Sequence, residues 1–512
     1  MNPLVVSRAM TNRRLLLALV AVCVLSVPAF CTTFLTDMDT YAHQADKLLR
    51  GGVLYRDTID TKPPMAVLQY AAVFAVAGGT NVAAVKVLTI LVLIVSALLV
   101  RRVYSDLFLG RDGANLAAVL FVLGSFGGFG GDFLSSNTEI PANLFILLGV
   151  WAMVSDRFAY RPARLLLAGA SVGVAFLYRY QAGAPLAAYF FLLILKRRDL
   201  DRPIRRLAAL AVGFLAPIAV LIGYYLSIGA IRDLLLLPEY DFFYLRGATP
   251  YWPTAALLVV AGLLTVLQLL IPAGAGAADV VRRRRVPAPD AFLLLYLAIS
   301  LGTFAIGSRF FGHYLIAALP PLALLAAAHL SRIGDAPAPR TTFGRALRRY
   351  ERHAVAFLSL QVAAFFMVNL AYFVTRPPEP RYPDLARIVR AHTTRTDRIF
   401  VWTTKTHLLF GLDRTYATRF LSNDFLVGRM YGTRNRLPTA TADSARPAEV
   451  HELWPILMSD LRASPPKLII DDTPEDSRFT LGRFPPLRSF VERDYGPCVR
   501  ADGFCVYIRK GA

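Results

Sequence analysis

Between Leu35 and Pro64 the chain reads LTDMDTYAHQADKLLRGGVLYRDTIDTKPP. An apolar run over 15–34 precedes this stretch, and another over 65–79 follows it. Asp37 and Asp39 stand where the first run ends. Tyr41, Ala45, Leu48 and Leu49 recur at helical spacing over 40–49, and Gly51-Gly52 stops that helix. Asp57 and Asp60 follow, then Lys62-Pro63-Pro64. Five carboxylates and four cations fall within residues 37–62. Charge at that density, bracketed by apolar runs, belongs at a membrane surface, and the Gly and Pro pairs give it a fixed geometry.

Working outward, eleven apolar runs approach the ~20 residues that cross a bilayer. They cover 15–34, 80–100, 114–131, 139–154, 165–179, 181–195, 207–228, 253–272, 291–308, 314–330 and 354–374. One kinked helix over 165–195 is the alternative to two passes there. The first run reads as a retained span, since the segment after it carries chemistry and not a linker. Met65–Gly79 is too short to span and reads as a helix at the interface or dipping in.

The charge follows this division. The chain has 512 residues, 55% of them hydrophobic, a mean hydropathy of +0.48 and a net charge of +21. A soluble chain so basic would suggest a nucleic-acid partner, but this hydropathy excludes one. With the N-terminus inside, the inward loops hold 25 basic and 9 acidic residues. The outward loops hold 9 and 10, and the tail from residue 375 holds 22 and 16. That asymmetry is the positive-inside pattern. The sequence therefore predicts an all-α polytopic membrane domain of about eleven transmembrane helices over 1–374, with outward loops 35–79 and 132–139. A small extracytoplasmic α/β domain over 375–512 completes it.

The unusual residues lie in the outward loops. The second, DFLSSNTE over 132–139, carries Asp132 and Glu139 without a local cation, which is costly at a membrane boundary unless a metal, a distant Arg or Lys, or a substrate proton offsets it. Glu139 is also well placed as the acidic start of a helix. Arg179 and Arg309 are outward arginines against the positive-inside bias, and so point to an anion, since arginine suits bidentate phosphate contacts. His313 and Tyr314 accompany Arg309. Lys86 is either a snorkelling lysine or a functional one. Gly124–Gly131 lacks the Lys-Ser/Thr and strand context of a phosphate loop, so no nucleotide cofactor is expected, and close helix packing accounts for it. Channels and transporters place polar groups mid-span and often repeat in inverted halves, and neither feature is found.

Asp37-x-x-x-Tyr41, the helix ending at Gly51-Gly52, Tyr55-Arg56-Asp57 and Asp60-x-Lys62-Pro63-Pro64 resemble the GT-C membrane glycosyltransferases. So do Asn137-Thr138-Glu139 and Arg309…His313-Tyr314…Pro320-Pro321. The resemblance covers about 1–374 and is nearest to the protein O-mannosyltransferase superfamily, whose bacterial relatives include the lipid A aminoarabinose transferases. It implies a sugar donor on a polyprenyl phosphate and transfer to an acceptor outside a bacterial-type cytoplasmic membrane. It implies Asp37 as base or metal ligand, Glu139 as the second-loop acid, and Lys62 and Arg179 as donor-phosphate contacts, with Arg309 added by its charge. Asp39, Tyr41, Asp60, His313 and Tyr314 are candidate supports. Asp37 and Glu139 are the candidate ligands if a divalent metal (Mg, Mn or Zn) takes part. The family often has a second acid directly after its first-loop Asp; Met38 stands there in this chain, and Asp39 is the candidate substitute. A transporter or a non-catalytic binder of polyprenyl-linked glycans is the alternative.

In the tail, 384–391 reads as a helix, 398–402 and 467–470 as strands, and 494–507 as a hairpin that Cys498 and Cys505 could close in an oxidising compartment. Asp471-Asp472 reads as a strand-end turn.

Overall fold

The computed structural model describes residues 12–35, 37–108, 112–129, 133–158, 160–238, 252–282, 286–306, 310–333, 341–375, 382–403, 406, 408, 412–427, 453–473 and 479–511. A helix occupies each of the eleven predicted runs. Seven helices are long and apolar enough to cross a membrane: Asn12–Phe30, Val82–Leu107, Pro203–Ser227, Trp252–Val281, Ala288–Ala305, Gly312–Leu330 and Ala354–Thr375. Four predicted spans correspond to shorter apolar helices, at 114–124, 139–155, 162–178 and 180–195. The protein is a multi-pass membrane protein.

The 165–195 region is two helices, not one kinked helix. Pro162–Tyr178 ends at Arg179, whose backbone is extended (φ −162°, ψ 140°), and a 3-10 turn over Tyr180–Gly183 leads into Pro185–Leu195. Pro185 opens the second helix, where a missing N–H costs nothing. The break is what turns Arg179 out of the helix wall.

Pro162–Tyr178 packs closely on Pro203–Ser227. Gly169 faces the carbonyl of Leu210, and Gly213 faces the carbonyl of Leu166; a Cβ on either would overlap that oxygen. Small residues let two helix backbones meet at this distance, which is the usual device where lipid supplies no hydrophobic drive. Lys86 neither snorkels nor reaches the loop acids. It is buried, and its Nζ donates to the carbonyls of Ala29 (2.9 Å) and Thr32 (2.5 Å), where the first span ends.

Beyond Thr375 the chain forms a five-stranded sheet of order β2-β1-β3-β5-β4. The strands are β1 Arg398–Trp402, β2 Thr415–Tyr416, β3 Leu468–Asp471, β4 Val499–Ala501 and β5 Phe504–Ile508. β1 runs parallel to β2 and β3, while β5 runs antiparallel to β3 and forms a hairpin with β4. Cys498 and Cys505 are bonded across that hairpin. Asp471 ends β3 in a turn, accepting the N–H groups of Thr473 (2.9 Å) and Leu481 (3.0 Å). One core of this domain gathers Trp402, Trp454 and Phe484, and Ile59 of the first outward loop is part of it. The sheet is therefore built onto that loop.

The glycine contact gives a direct test. Gly213→Val overpacks the crossing and should lower the detergent-solubilised melting temperature by several degrees, in line with the ~1–3 kcal/mol of overpacking. Gly223→Val on the same helix, where a Cβ meets nothing within 4 Å, should leave it unchanged. Equal melting temperatures for the two variants would contradict the packing account.

Candidate active site

Asp37 is the residue immediately before the helix Met38–Leu49, and its side chain is 41% exposed. Lys62 reaches it from the far end of the same loop. The Lys62 ammonium forms an ion pair with the Asp37 carboxylate and donates to the Tyr41 hydroxyl at 2.6 Å. Tyr41 in turn donates to Asn137 Oδ1 at 3.0 Å. Asp60 shapes the turn that presents Lys62, accepting the backbone N–H of Thr61 (2.6 Å) and of Lys62 itself (3.1 Å). Tyr55 holds the same turn by donating to the Lys62 carbonyl at 3.0 Å.

Met38 has a structural role. It is fully buried, and its Sδ lies 3.4 Å from the N–H of Ser136, fastening the first loop to the second. Tyr70 adds to that seam by donating to the Ser136 carbonyl at 2.9 Å.

Glu139 opens the helix Glu139–Phe158 and is buried, 3% exposed. Arg179 pairs with it, held by the backbone break described above. Thr138 donates to Glu139 Oε2 at 3.1 Å, and His313 Nε2 lies 3.8 Å from Oε1. The Arg179 guanidinium lies 4.4 Å from the centroid of the Tyr314 ring, an arrangement that suits a planar cation. Beside this pair a cleft between helices is lined by Glu139, Asn143, Arg179, Gln181, Ser300 and Thr303.

The two pairs share one field. Burial works to raise the pKa of Asp37, but the Lys62 ammonium, with smaller contributions from His313 and Arg179, holds it below the usual carboxylate range. Burial also works against the Lys62 ammonium, yet Asp37, Tyr41 and Asp60 together push its pKa well up. Asp60 is itself raised, chiefly by burial and against the pull of Lys62. Two ion pairs, Asp37–Lys62 and Glu139–Arg179, are thus near enough for Arg179 to act on Asp37.

The structure brings together Asp37, Tyr41, Asp60 and Lys62 on one side and Glu139, Arg179, His313 and Tyr314 on the other. Asp39 does not join them: it is buried and bonded to Thr406 at the C-terminal domain. Arg309 and Asp132 lie outside the described residues. Asn137, which ties Tyr41 to the second loop, stood in the quoted motif without an assigned role. Thr406 carried no sequence signal.

The two candidate metal ligands, Asp37 and Glu139, are each paired with a cation. A metal needs several carboxylate, imidazole or thiolate ligands converging. Among the described residues no three His, Cys, Asp or Glu side chains form such a group.

Residues 61–222 match the model of the dolichyl-phosphate-mannose-protein mannosyltransferase family. No curated protein sequence matches the chain. The fold is similar to that of ArnT from Cupriavidus metallidurans, solved bound to undecaprenyl phosphate, at 14% identity and a TM-score of 0.60 over 98% of this chain and 99% of that one. It is also similar to the Archaeoglobus fulgidus oligosaccharyltransferase tethered with an acceptor peptide, at 13% identity and a TM-score of 0.53 over 98% of this chain and 74% of that one. The same archaeal enzyme, AglB, solved with an inhibitory peptide and a dolichol-phosphate, matches at 13% identity and a TM-score of 0.53, covering 97% and 74%. The fold of the chain is thus similar to those of ArnT and the archaeal oligosaccharyltransferase, and the segment that carries Lys62, Glu139 and Arg179 matches a mannosyltransferase family model.

Proposed function

We propose that the protein transfers a sugar from a polyprenyl-phosphate-linked donor to a hydroxyl acceptor on the outer face of a bacterial-type cytoplasmic membrane. Residues 1–374 form the catalytic membrane domain with a cytoplasmic N-terminus, and residues 375–512 form an extracytoplasmic domain. The observation that carries this reading is the Asp37–Lys62 pair set within the field of Arg179. Two structures of similar fold were solved with undecaprenyl phosphate or dolichol-phosphate, which supports a lipid-phosphate donor.

The chemistry balances as a substitution at the anomeric carbon. The acceptor oxygen forms a bond to that carbon, the bond from the carbon to the phosphate oxygen breaks, and the acceptor proton passes to the Asp37 carboxylate. The phosphate leaves on its lipid with one more negative charge localised on its oxygen. Lys62 and Arg179 are placed to meet that charge as it develops, where preorganised cations in a partly dry site act most strongly. Asp37 is held ionised by Lys62, so it is ready to orient the acceptor hydroxyl before taking its proton. Glu139 keeps Arg179 aimed, and Tyr41 and Asn137 do the same for Lys62.

Two tests follow. Purified protein given a panel of polyprenyl-phosphate-linked sugars should release polyprenyl phosphate from at least one of them. Asp37→Asn should lower that release by at least ~100-fold, the low end of general-base contributions, with the melting temperature retained. Near-normal release by the folded variant would overturn the assignment. Lys62→Met should weaken binding of undecaprenyl phosphate by about tenfold or more, the loss expected of one charged hydrogen bond. Unchanged affinity would remove Lys62 from the phosphate site.

A further inference from the structure

The two segments that carry Asp37 and Lys62 are both fastened to the C-terminal sheet domain. On the Asp37 side, the first turn of the helix Met38–Leu49 meets the loop that follows β1. Asp39 accepts the Thr40 N–H at 2.7 Å through Oδ1 and the Thr406 hydroxyl at 2.5 Å through Oδ2. One turn further, His43 Nε2 lies 3.2 Å from the Thr406 carbonyl. A carbonyl only accepts, so Nε2 carries the proton and donates. Burial drives the pKa of His43 down to about 3, so the ring stays neutral. The ring of Tyr416 stands edge-on to it at 5.3 Å.

On the Lys62 side, the Ile59 N–H donates to the Arg419 carbonyl at 2.9 Å, and the Ile59 side chain is buried in the core of the sheet domain. Arg419 is itself fixed by Asp460, which takes its N–H (3.1 Å), Nε (3.0 Å) and Nη2 (2.9 Å). Gln44 links the two sides, its Nε2 donating to the Ile59 carbonyl at 3.3 Å.

A domain that merely covered the loop would need apolar contact and little else. These contacts are buried and directional, and they hold the chain on both sides of the ion pair. Buried polar contacts of this kind specify register, because each is costly when its partner is missing. Asp39 lies two residues from Asp37 in the first turn of one helix, so a change in its seat is transmitted to the helix start.

We infer that the C-terminal domain is a positioning element of the transfer site, with Thr406 setting, through Asp39, the approach of Asp37 to Lys62. Thr406 is a positioning residue and touches no substrate. This inference rests on the transfer reading given above.

The test uses the full-length protein and the donor accepted in the panel assay. Thr406→Val keeps the shape and removes the hydroxyl. It should lower kcat by at least ~10-fold, as a small misplacement of a reacting group does. The donor KM should stay within ~2-fold, because lipid-phosphate binding is left intact. The melting temperature should move by no more than ~2 °C. Thr406→Ser, which restores the donor, should return kcat to within ~2-fold of the parent. Should Thr406→Val fail to fold, His43→Gln, which acts on the same loop, should show the same split between kcat and KM. Two results overturn the inference: an unchanged kcat, or kcat, KM and melting temperature failing together without rescue by Ser. If Asp37→Asn is inactive while Thr406→Val matches the parent, this inference alone falls. If Asp37→Asn is active, the transfer reading falls with it.

Discussion

The contact between the Lys62 ammonium and the Asp37 carboxylate is the interaction on which the rest of the outward face depends. A charge at the edge of the hydrocarbon is costly unless it is paired and hydrogen-bonded. Each surrounding feature meets that cost at a particular atom. The Tyr41 hydroxyl accepts a hydrogen bond from Lys62 and donates one to Asn137, while Asp60 and Tyr55 hold the turn. Met38 and Tyr70 seal the first loop to the second. The result is a carboxylate held ionised at the outer boundary, with a second ion pair, Glu139–Arg179, close enough to contribute to its field.

The membrane helices serve this arrangement by placing a few residues at their ends. Asp37 follows the first span, Glu139 begins a helix, and Arg179 sits in the break between two. The segments 35–64 and 132–139 hold Asp37, Lys62 and Glu139 among many charged residues.

Much of this was legible in the chain because it is encoded along one dimension. Apolar runs of span length, the Gly51-Gly52 stop, the strand at 398–402 and the hairpin around Cys498 and Cys505 all depend on neighbours in sequence. The break at Arg179 falls where the apolar runs 165–179 and 181–195 meet. Asp39 shows the limit. Beside Asp37 it reads as a second acid for the site, but residues two apart on a helix point to different sides, and Asp39 turns to Thr406. That partner lies 367 residues away, so only the folded chain reveals it. Lys86 shows the same limit, since its partners are two carbonyls at the end of the first span and not a side chain that a motif could mark.

The central claim is that Lys62 and Arg179 receive a lipid-linked phosphate in front of Asp37. The most direct measurement is a structure of the full-length protein in lipid nanodiscs with undecaprenyl phosphate added. The account predicts the phosphate within hydrogen-bond distance of Lys62 Nζ and of the Arg179 guanidinium, on the face that carries Asp37, with the isoprenoid chain leaving toward the bilayer. A phosphate bound away from both cations, or on the face of the basic loops, would contradict it.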